Sequence, residues 1–171
     1  MDRYIKVYDN VFSSVECNAL RSFLDNAPDT EWKETPGYSF YQVHLGLEAS
    51  KSVMGRLYEL FAQRYFDDVL MAACQRPERI SFEVPRIKKY PIGSEFKDHV
   101  DAINLDSSKR YLSFLVYLNT LPDGFTHFES GDVMAKEGRV VCFPPLWTYP
   151  HAGLPSATGE KYILSGYLNF C

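Results

Sequence analysis

The residues best suited to metal chemistry in this chain are its four histidines and the acids near them. The triplet His99-Val100-Asp101 places an imidazole and a carboxylate two residues apart. On a β-strand such side chains point to the same face, so the two groups would converge, whereas Asp98 would point the other way. A lone triplet of this kind also occurs by chance, and alone it is equally consistent with a structural role.

A further histidine, His151, strengthens the case for a metal site. It lies much later in the chain, within Tyr149-Pro150-His151-Ala152-Gly153. Two histidines and one carboxylate with open coordination positions are the ligand set of non-haem Fe(II) oxygenases. Such ligands hold the iron on one face and leave the other face for substrate and O2. His99, Asp101 and His151 therefore form a candidate iron site.

Lys161 follows His151 across a turn formed by Gly153–Gly159. If the flanking strands are antiparallel neighbours, Lys161 returns close to His151, and its long side chain can reach an anionic co-substrate. It begins an otherwise apolar strand, Tyr162-Ile163-Leu164, where a buried ammonium group requires a partner. A bound carboxylate would be that partner.

The elements that must position these residues change character near residue 75. Before it the pattern is helical: Ser13 and Glu16 have the spacing of a capping box, and an apolar stripe follows. A second helical stretch is predicted from about Ser50 to Ala73, with an apolar face that we interpret as core packing: Val53, Leu57, Leu60, Phe61 and Tyr65. Residues 29–48 between them are expected to hold short strands and loops.

From residue 80 onward the pattern has the period of β-strands, with turn-forming residues between the segments. The predicted strands are Ile80–Tyr90, Tyr111–Asn119, Arg139–Phe143 and Lys161–Phe170. Helices followed by many short strands indicate a mainly β, α+β fold in which a helical layer packs on an antiparallel sandwich or barrel. We expect one domain over residues 1–171, with helical support at about 13–74 and a β core at about 80–171.

Composition excludes several classes of protein. The chain has 18 basic and 22 acidic residues and a net charge of −4, which argues against a nucleic-acid-binding surface. No apolar run approaches the length of a membrane span, and the first residues lack the pattern of a signal peptide. The cysteines are far apart and are expected to be free thiols in a reducing cytoplasm: Cys17, Cys74, Cys142 and Cys171.

About half of the chain carries a series of short motifs in a fixed order. They are Tyr90 and Gly93, His99 and Asp101, Arg110, Tyr117-Leu118-Asn119, Gly124 to Phe128, Gly138 to Pro144, His151-Ala152-Gly153 and Gly159-Glu160-Lys161-Tyr162. From about residue 84 onward this series resembles the 2-oxoglutarate/Fe(II) dioxygenase superfamily, and within it the prolyl 4-hydroxylase branch. Phe125 and Tyr167 depart from the pattern, where an acidic residue and a tryptophan are common. These departures concern the shape of the substrate pocket.

The resemblance implies a double-stranded β-helix, or jelly roll, in which two antiparallel sheets form a squashed barrel with helices supporting one sheet. It also implies that His99, Asp101 and His151 bind Fe(II), and that no catalytic residue is needed beyond this metal centre. The iron and its co-substrate carry the chemistry, while the protein supplies geometry and excludes water.

The resemblance further implies that 2-oxoglutarate chelates the metal and that Lys161 pairs with its C5 carboxylate. Tyr90 and Tyr117 are the expected hydroxyl donors to this co-substrate. Tyr117 shares strand parity with Ser113 and Leu115, as expected of a row that faces a cavity. Ascorbate is expected as a further cofactor, because it commonly rescues uncoupled turnover in this branch.

The implied activity is the 2-oxoglutarate- and O2-dependent hydroxylation of an unactivated C–H bond, with release of succinate and CO2. The branch favours prolyl 4-hydroxylation in a peptide or protein, held by residues 29–48 and 102–110. One alternative is a hydroxylase of a free amino acid or another small molecule with the same iron centre. A second is a non-enzymatic β-sandwich binding protein, against which the presence of the triad and Lys161 argues.

Three further residues are candidates for substrate contact, each with a structural alternative. Arg110 could orient a substrate or a lid formed by Ala102–Lys109, or could form a surface salt bridge. His127 could lie at the cavity mouth or be purely structural. Trp147 could line the entrance or cover the end of the barrel.

Two basic residues, Arg86 and Lys88, share strand parity with Tyr90. If they face the cavity, they imply an acidic or polar substrate. Alternatively, they are the charges that protect an edge strand from pairing with another chain.

Overall fold

Strands dominate the computed structural model, which describes residues 1–71 and 75–171. The described strands pair antiparallel throughout. They are β1 (Lys6–Tyr8), β2 (Glu31–Thr35), β3 (Tyr38–His44), β4 (Ile80–Phe82), β5 (Arg86–Tyr90), β6 (Phe96–His99), β7 (Arg110–Tyr117), β8 (Thr126–Phe128), β9 (Gly131–Val133), β10 (Val140–Phe143), β11 (His151–Gly153) and β12 (Lys161–Phe170).

The order of strands makes two halves of one curled sheet. Along the sheet it is β1-β10-β7-β12-β5-β3-β6-β11-β8-β9, with β2 added to β3 and β4 added to β12. The larger half is β1-β10-β7-β12-β5-β3, and the smaller half is β6-β11-β8-β9. The two halves meet where β3 pairs with β6 at a single position, Tyr38 opposite Phe96. The sheet is thereby folded into a nearly closed barrel. The predicted mainly β, jelly-roll architecture with few helices is confirmed.

The described helices all lie before β4 in the chain. They are α1 (Ser14–Asn26), α2 (Leu47–Glu59), a π-helical turn (Leu60–Tyr65) and α3 (Phe66–Asp68). The predicted capping box is confirmed: the Ser13 hydroxyl accepts from the amide of Glu16 at 3.3 Å, and the Glu16 carboxylate accepts from the amide of Ser13 at 2.8 Å. These bonds satisfy two of the amide groups that a helix N-terminus leaves unpaired.

Two element boundaries differ from the sequence prediction. The second helical stretch begins at Leu47 and can be followed to Asp68; Ala73 and Cys74 lie outside the described residues. Residues 29–48, predicted to hold short strands and loops, contain the β2–β3 hairpin. The single strand predicted over 80–90 is divided into β4 and β5 around Pro85, whose backbone has no N–H to donate to a sheet.

Strand β12 separates two hydrophobic cores, because successive side chains of a strand point to opposite faces. Tyr162, Leu164 and Leu168 belong to the core shared with the helices, in which Leu57 and Phe61 are fully buried. Ile163 belongs to the second core, inside the barrel, with these residues among others: Tyr90, Tyr117, Phe128 and Phe143. Full burial of one such side chain stabilises the fold by about 1.5–3 kcal/mol.

Three of the four predicted free thiols lie in the described part of the chain. Cys17, Cys142 and Cys171 are free, the first two buried and the third exposed. Among the described helices, none combines the length and the apolar character needed to cross a bilayer.

Candidate metal centre

The pairing of two short strands brings the candidate histidines together. In the antiparallel register of β6 with β11, His151 lies directly opposite His99. Asp101 follows two residues after His99, where its backbone amide donates to the carbonyl of Pro145 at 3.2 Å. Asp98 is exposed, as expected for the opposite strand face.

The three side chains meet closely enough to share one ion. Nε2 of His99 lies 3.8 Å from Oδ1 of Asp101, and Nε2 of His151 lies 3.7 Å from Oδ2. One ligand atom from each residue falls within 4.8 Å of the others. First-row divalent ions bind nitrogen and oxygen ligands at about 2.0–2.2 Å, so small side-chain movements suffice to coordinate a single ion. The donor set suits iron(II) and leaves coordination positions open.

Backbone carbonyls fix the orientation of both imidazole rings. Nδ1–H of His99 donates to the carbonyl of Lys97 at 2.8 Å, and Nδ1–H of His151 donates to the carbonyl of Tyr149 at 3.2 Å. With Nδ1 protonated, Nε2 carries the free lone pair on the side that faces Asp101. The ring of Phe96 stacks on that of His99 at a centroid distance of 3.7 Å.

Asp101 accepts hydrogen bonds at both carboxylate oxygens. Ser113 donates its hydroxyl to Oδ2 at 2.7 Å, and Tyr167 donates its hydroxyl to Oδ1 at 3.0 Å. Arg110 donates to the backbone carbonyl of Asp101 at 2.6 Å. These partners orient the carboxylate in the way that supporting residues orient the ligands of metal sites.

At His99 and Asp101 the electrostatics favour the protonation states that a metal requires. Burial, followed by the proximity of His151, lowers the pKa of His99 to about 4, so this imidazole is neutral at pH 7. Burial alone would raise the pKa of Asp101, but His151 and the hydrogen bond from Ser113 outweigh it and hold the pKa below its usual value. Neutral imidazoles and an ionised carboxylate are the forms that bind metal.

The triad lines a cavity inside the barrel. Its other walls come from β5, β7, β8 and β12, and they include Lys88, Tyr90, Leu115, Thr126, Lys161 and Ser165. A cavity with a few convergent polar groups is typical of small-molecule sites.

Lys161 lies in this cavity, as the sequence predicts. It stands opposite Tyr90 in the β12–β5 register and is 3% exposed. Its ammonium donates to the carbonyls of Gly124 at 3.0 Å and Leu154 at 2.8 Å, which leaves one of its three protons for a ligand. Burial lowers its pKa to about 8, partly opposed by the charge of Asp123.

The two tyrosines predicted to contact a co-substrate are placed differently. Tyr90 lines the cavity, and the ammonium nitrogen of Lys161 lies 5.2 Å from the centre of the Tyr90 ring. Tyr117 is fully buried, and its hydroxyl donates to that of Thr126 at 2.6 Å. Thr126 lines the cavity, so Tyr117 acts on the cavity wall through this threonine.

The three candidates for substrate contact lie outside the described cavity lining. Arg110 pairs with both carboxylate oxygens of Glu83 at 2.8 and 3.0 Å, and its guanidinium lies 3.7 Å above the ring of Tyr167. His127 is exposed and contacts Asp132 at 2.6 Å, and Trp147 is 79% exposed. Their contact with a substrate stays a prediction.

The structure adds residues that sequence reasoning did not assign to the site. Ser113 and Tyr167 hold Asp101, and Thr126 and Ser165 line the cavity. Strand parity was the available signal, because Ser113 shares a face with Leu115, and Ser165 and Tyr167 share one with Lys161. Parity identifies a face but does not show which partners a side chain meets there.

Comparison with known proteins gives a family match and a curated relative. Residues 85–169 match the model of the 2OG-Fe(II) oxygenase superfamily. A PKHD-type hydroxylase from Prochlorococcus marinus (strain MIT 9215) is 24% identical, over 90% of this chain and 72% of that protein.

Three solved structures of similar fold carry the name prolyl hydroxylase. The viral collagen prolyl hydroxylase of Paramecium Bursaria Chlorella virus-1 has a TM-score of 0.73 at 19% identity, covering 98% of this chain and 97% of that chain. A Pseudomonas putida prolyl-4-hydroxylase has a TM-score of 0.76 at 18% identity, covering 98% and 92%. A Trichoplax adhaerens prolyl hydroxylase, in complex with a hypoxia inducible factor peptide fragment, has a TM-score of 0.78 at 16% identity, covering 98% and 84%.

Proposed function

The chain belongs to the 2OG-Fe(II) oxygenase superfamily, and from this premise we propose that His99, Asp101 and His151 bind Fe(II) in a hydroxylase. The observation that carries the proposal is the convergence of the three side chains, with both Nε2 atoms facing one carboxylate. When bound, iron with 2-oxoglutarate and O2 supplies the oxidation, in which one oxygen atom enters a C–H bond and succinate and CO2 are released.

The residues around the triad have distinct tasks in this reaction. Lys161 binds the C5 carboxylate of the co-substrate 2-oxoglutarate with the proton that Gly124 and Leu154 leave free. Tyr90 stays un-ionised, because burial raises the pKa of its hydroxyl, and it can therefore donate to the same co-substrate. Phe96, stacked on His99, keeps water from one side of the centre.

The proposed substrate is a prolyl residue in a peptide or protein, hydroxylated at C4. Support comes from the relatives named as prolyl hydroxylases, one of which was solved with a peptide. The β2–β3 hairpin and residues 102–110 are the segments proposed to hold the peptide. Ascorbate is proposed to sustain repeated turnover. The alternative substrate, a free amino acid or another small molecule, would use the same centre.

The test is iron uptake without O2, followed by aerobic succinate release with a panel of proline-containing peptides and free amino acids. Mass spectrometry identifies the product by the gain of one oxygen atom. His99→Ala and Asp101→Ala should abolish both iron uptake and turnover, whereas His44→Ala, which removes an exposed histidine of β3, should change neither. Full iron uptake and turnover in the His99→Ala protein would contradict the assignment.

A further inference from the structure

Lys88 is a second lysine in the wall of the metal cavity. It lies on β5, opposite Ile163 of β12 and two residues from Tyr90. Its side chain lines the cavity together with the triad and Lys161. Strand β5 is flanked by β12 on one side and β3 on the other, so it is not an edge strand. The interpretation of Lys88 as an edge-protecting charge is therefore wrong.

The ammonium of Lys88 has no hydrogen-bond or ion-pair partner among the residues that the structure describes. The residue is 8% exposed, and its charge lies 4.7 Å from the ring centre of Phe40 and 5.4 Å from that of Phe96. The neighbouring Lys89, on the opposite face of the same strand, pairs with Asp25 at 2.9 Å. Lys161 has two carbonyl acceptors, so Lys88 differs from both lysines.

The surroundings of Lys88 disfavour the charged form of its ammonium group when no anion is bound. Burial is the main cause and the charge of Arg86 the next, and together they lower its pKa to about 8. Arg110 acts in the same direction, and the carboxylate of Asp101 opposes them. Asp101 forms no ion pair with Lys88, and its two carboxylate oxygens accept hydrogen bonds from Ser113 and Tyr167. A buried ammonium of this kind, facing a cavity, is a candidate binding group for an anion.

We propose that Lys88 recognises a carboxylate of the primary substrate, so that the enzyme selects anionic substrates. This inference rests on the proposed function. In that function the co-substrate uses one carboxylate to bind Lys161 and the other to take part in metal chelation. Lys88 is a positive charge of the cavity additional to Lys161, and we assign the anion that it binds to the molecule that is hydroxylated. The carboxylate is either that of a free amino acid or that of an acidic residue beside the target in a peptide.

Matched pairs of probes distinguish these two sources. The first pair is L-proline and L-prolinamide. The second is an end-blocked peptide with Glu next to proline and the same peptide with Gln. We expect the wild-type protein to prefer the carboxylate member of one pair by about 30-fold in kcat/KM, as for a buried charge pair. The pair that shows the preference identifies the source of the carboxylate.

Three variants assign the preference to a residue. Lys88→Met should lose the preference because its kcat/KM for the carboxylate probe falls. The Michaelis constant for the co-substrate 2-oxoglutarate should change less than twofold. Lys88→Arg keeps the charge and should retain part of the preference. Lys89→Met removes a lysine from the opposite face of the same strand and should leave the preference intact.

Calorimetric binding of the same probes, with Mn(II) replacing Fe(II) and O2 excluded, separates this inference from the proposed function. A Lys88-dependent preference in binding without any succinate release would keep Lys88 as a carboxylate-binding residue but overturn the proposed function, on which its role toward a hydroxylated substrate rests. Succinate release by a wild-type protein that shows no carboxylate preference in either pair would overturn the inference alone. A Lys88→Met protein that keeps the preference but loses affinity for 2-oxoglutarate would also overturn the inference.

Discussion

Asp101 is the residue on which the candidate metal centre converges. Each of its oxygens faces one histidine Nε2 and accepts one hydroxyl, from Ser113 or from Tyr167. Its geometry is thus set by the protein before any metal binds. Supporting hydrogen bonds of this kind orient metal ligands and are needed for tight binding.

The role of Lys161 predicts a selective loss of co-substrate affinity. Lys161→Ala should raise the Kd for 2-oxoglutarate by about 30-fold or more, because truncation leaves a buried carboxylate without its charged partner. Metal affinity should change less than twofold, because Lys161 contacts carbonyls and not the triad. Titrations with Mn(II) under exclusion of O2 measure both constants, with Lys136→Ala as a control at a partly exposed lysine that pairs with Asp9. An equal loss of metal binding would contradict the role.

The same residue predicts a pH dependence. In the free protein the pKa of Lys161 is about 8, and a bound carboxylate raises it, so the co-substrate binds the protonated form. The Kd for 2-oxoglutarate should be constant below this pKa and should rise about tenfold per pH unit above it. Calorimetry from pH 6.5 to about pH 9.5 tests this, and the ratio of the Lys161→Ala to the wild-type Kd should fall across the upper half of that range. A constant ratio would show that another group titrates.

Lys88 predicts a gain in stability when its charge is removed. Lys88→Met should raise the free energy of unfolding at pH 7 by about 2 kcal/mol, because it removes a buried ammonium that lacks a partner and keeps a similar volume. Chemical denaturation of the metal-free protein measures the change. Lys89→Met should instead lose a little stability, because it breaks the ion pair with Asp25. A loss of stability in Lys88→Met would indicate that its contacts with Phe40 and Phe96 hold the fold.

At the scale of elements, neighbouring strands build the site by placing alternate residues on one face. On β12 the cavity receives Lys161, Ile163, Ser165 and Tyr167, and β5 adds Tyr90 and Lys88 in register. Strand parity grouped Lys88 with Tyr90 from the sequence, whereas the cavity face of β12 beyond Lys161 was not predicted. The pairing of β6 with β11 then sets the distance between the two histidines.

The turn before β10 provides a test of how closely these elements pack. Gly138 has a φ of 76°, and an added Cβ would lie 2.1 Å from the carbonyl oxygen of Phe12. Gly138→Ala should therefore lower the free energy of unfolding by about 2–4 kcal/mol, as measured by urea denaturation. In α2, a Cβ at Gly55 meets nothing, so Gly55→Ala should stabilise the protein by about 0.5–1 kcal/mol. Equal effects of the two substitutions would contradict the close contact at Gly138.

At the scale of the whole molecule, the centre joins the two halves of the sheet. His99 and His151 come from β6 and β11 of the smaller half, whereas Ser113 and Tyr167, which hold Asp101, come from β7 and β12 of the larger half. A bound ion would therefore connect both halves through Asp101. The helices lie on the other side of the larger half and stabilise it through their own core.

Metal and co-substrate should accordingly stabilise the whole fold. At 100 times its Kd, a ligand that binds only the folded state adds about 2.7 kcal/mol. For a chain of this length, each 1 kcal/mol corresponds to about 2–4 °C in Tm, so we expect a rise of roughly 5–10 °C. Thermal unfolding with Mn(II) and 2-oxoglutarate measures the rise. It should vanish in Asp101→Ala, and a rise of the same size in that variant would contradict the proposed site.

The sequence by itself determined the order and type of the main strands, the capping box at Ser13, and the candidate set of His99, Asp101, His151 and Lys161. It could do so because periodicity and spacing are local properties of the chain. The tertiary structure decided that Arg110 pairs with Glu83, that Tyr117 donates to Thr126, and that Lys88 is buried without a partner among the described residues. These facts depend on which distant strands become neighbours, and strand parity gives a side chain's face without giving the groups that it meets there.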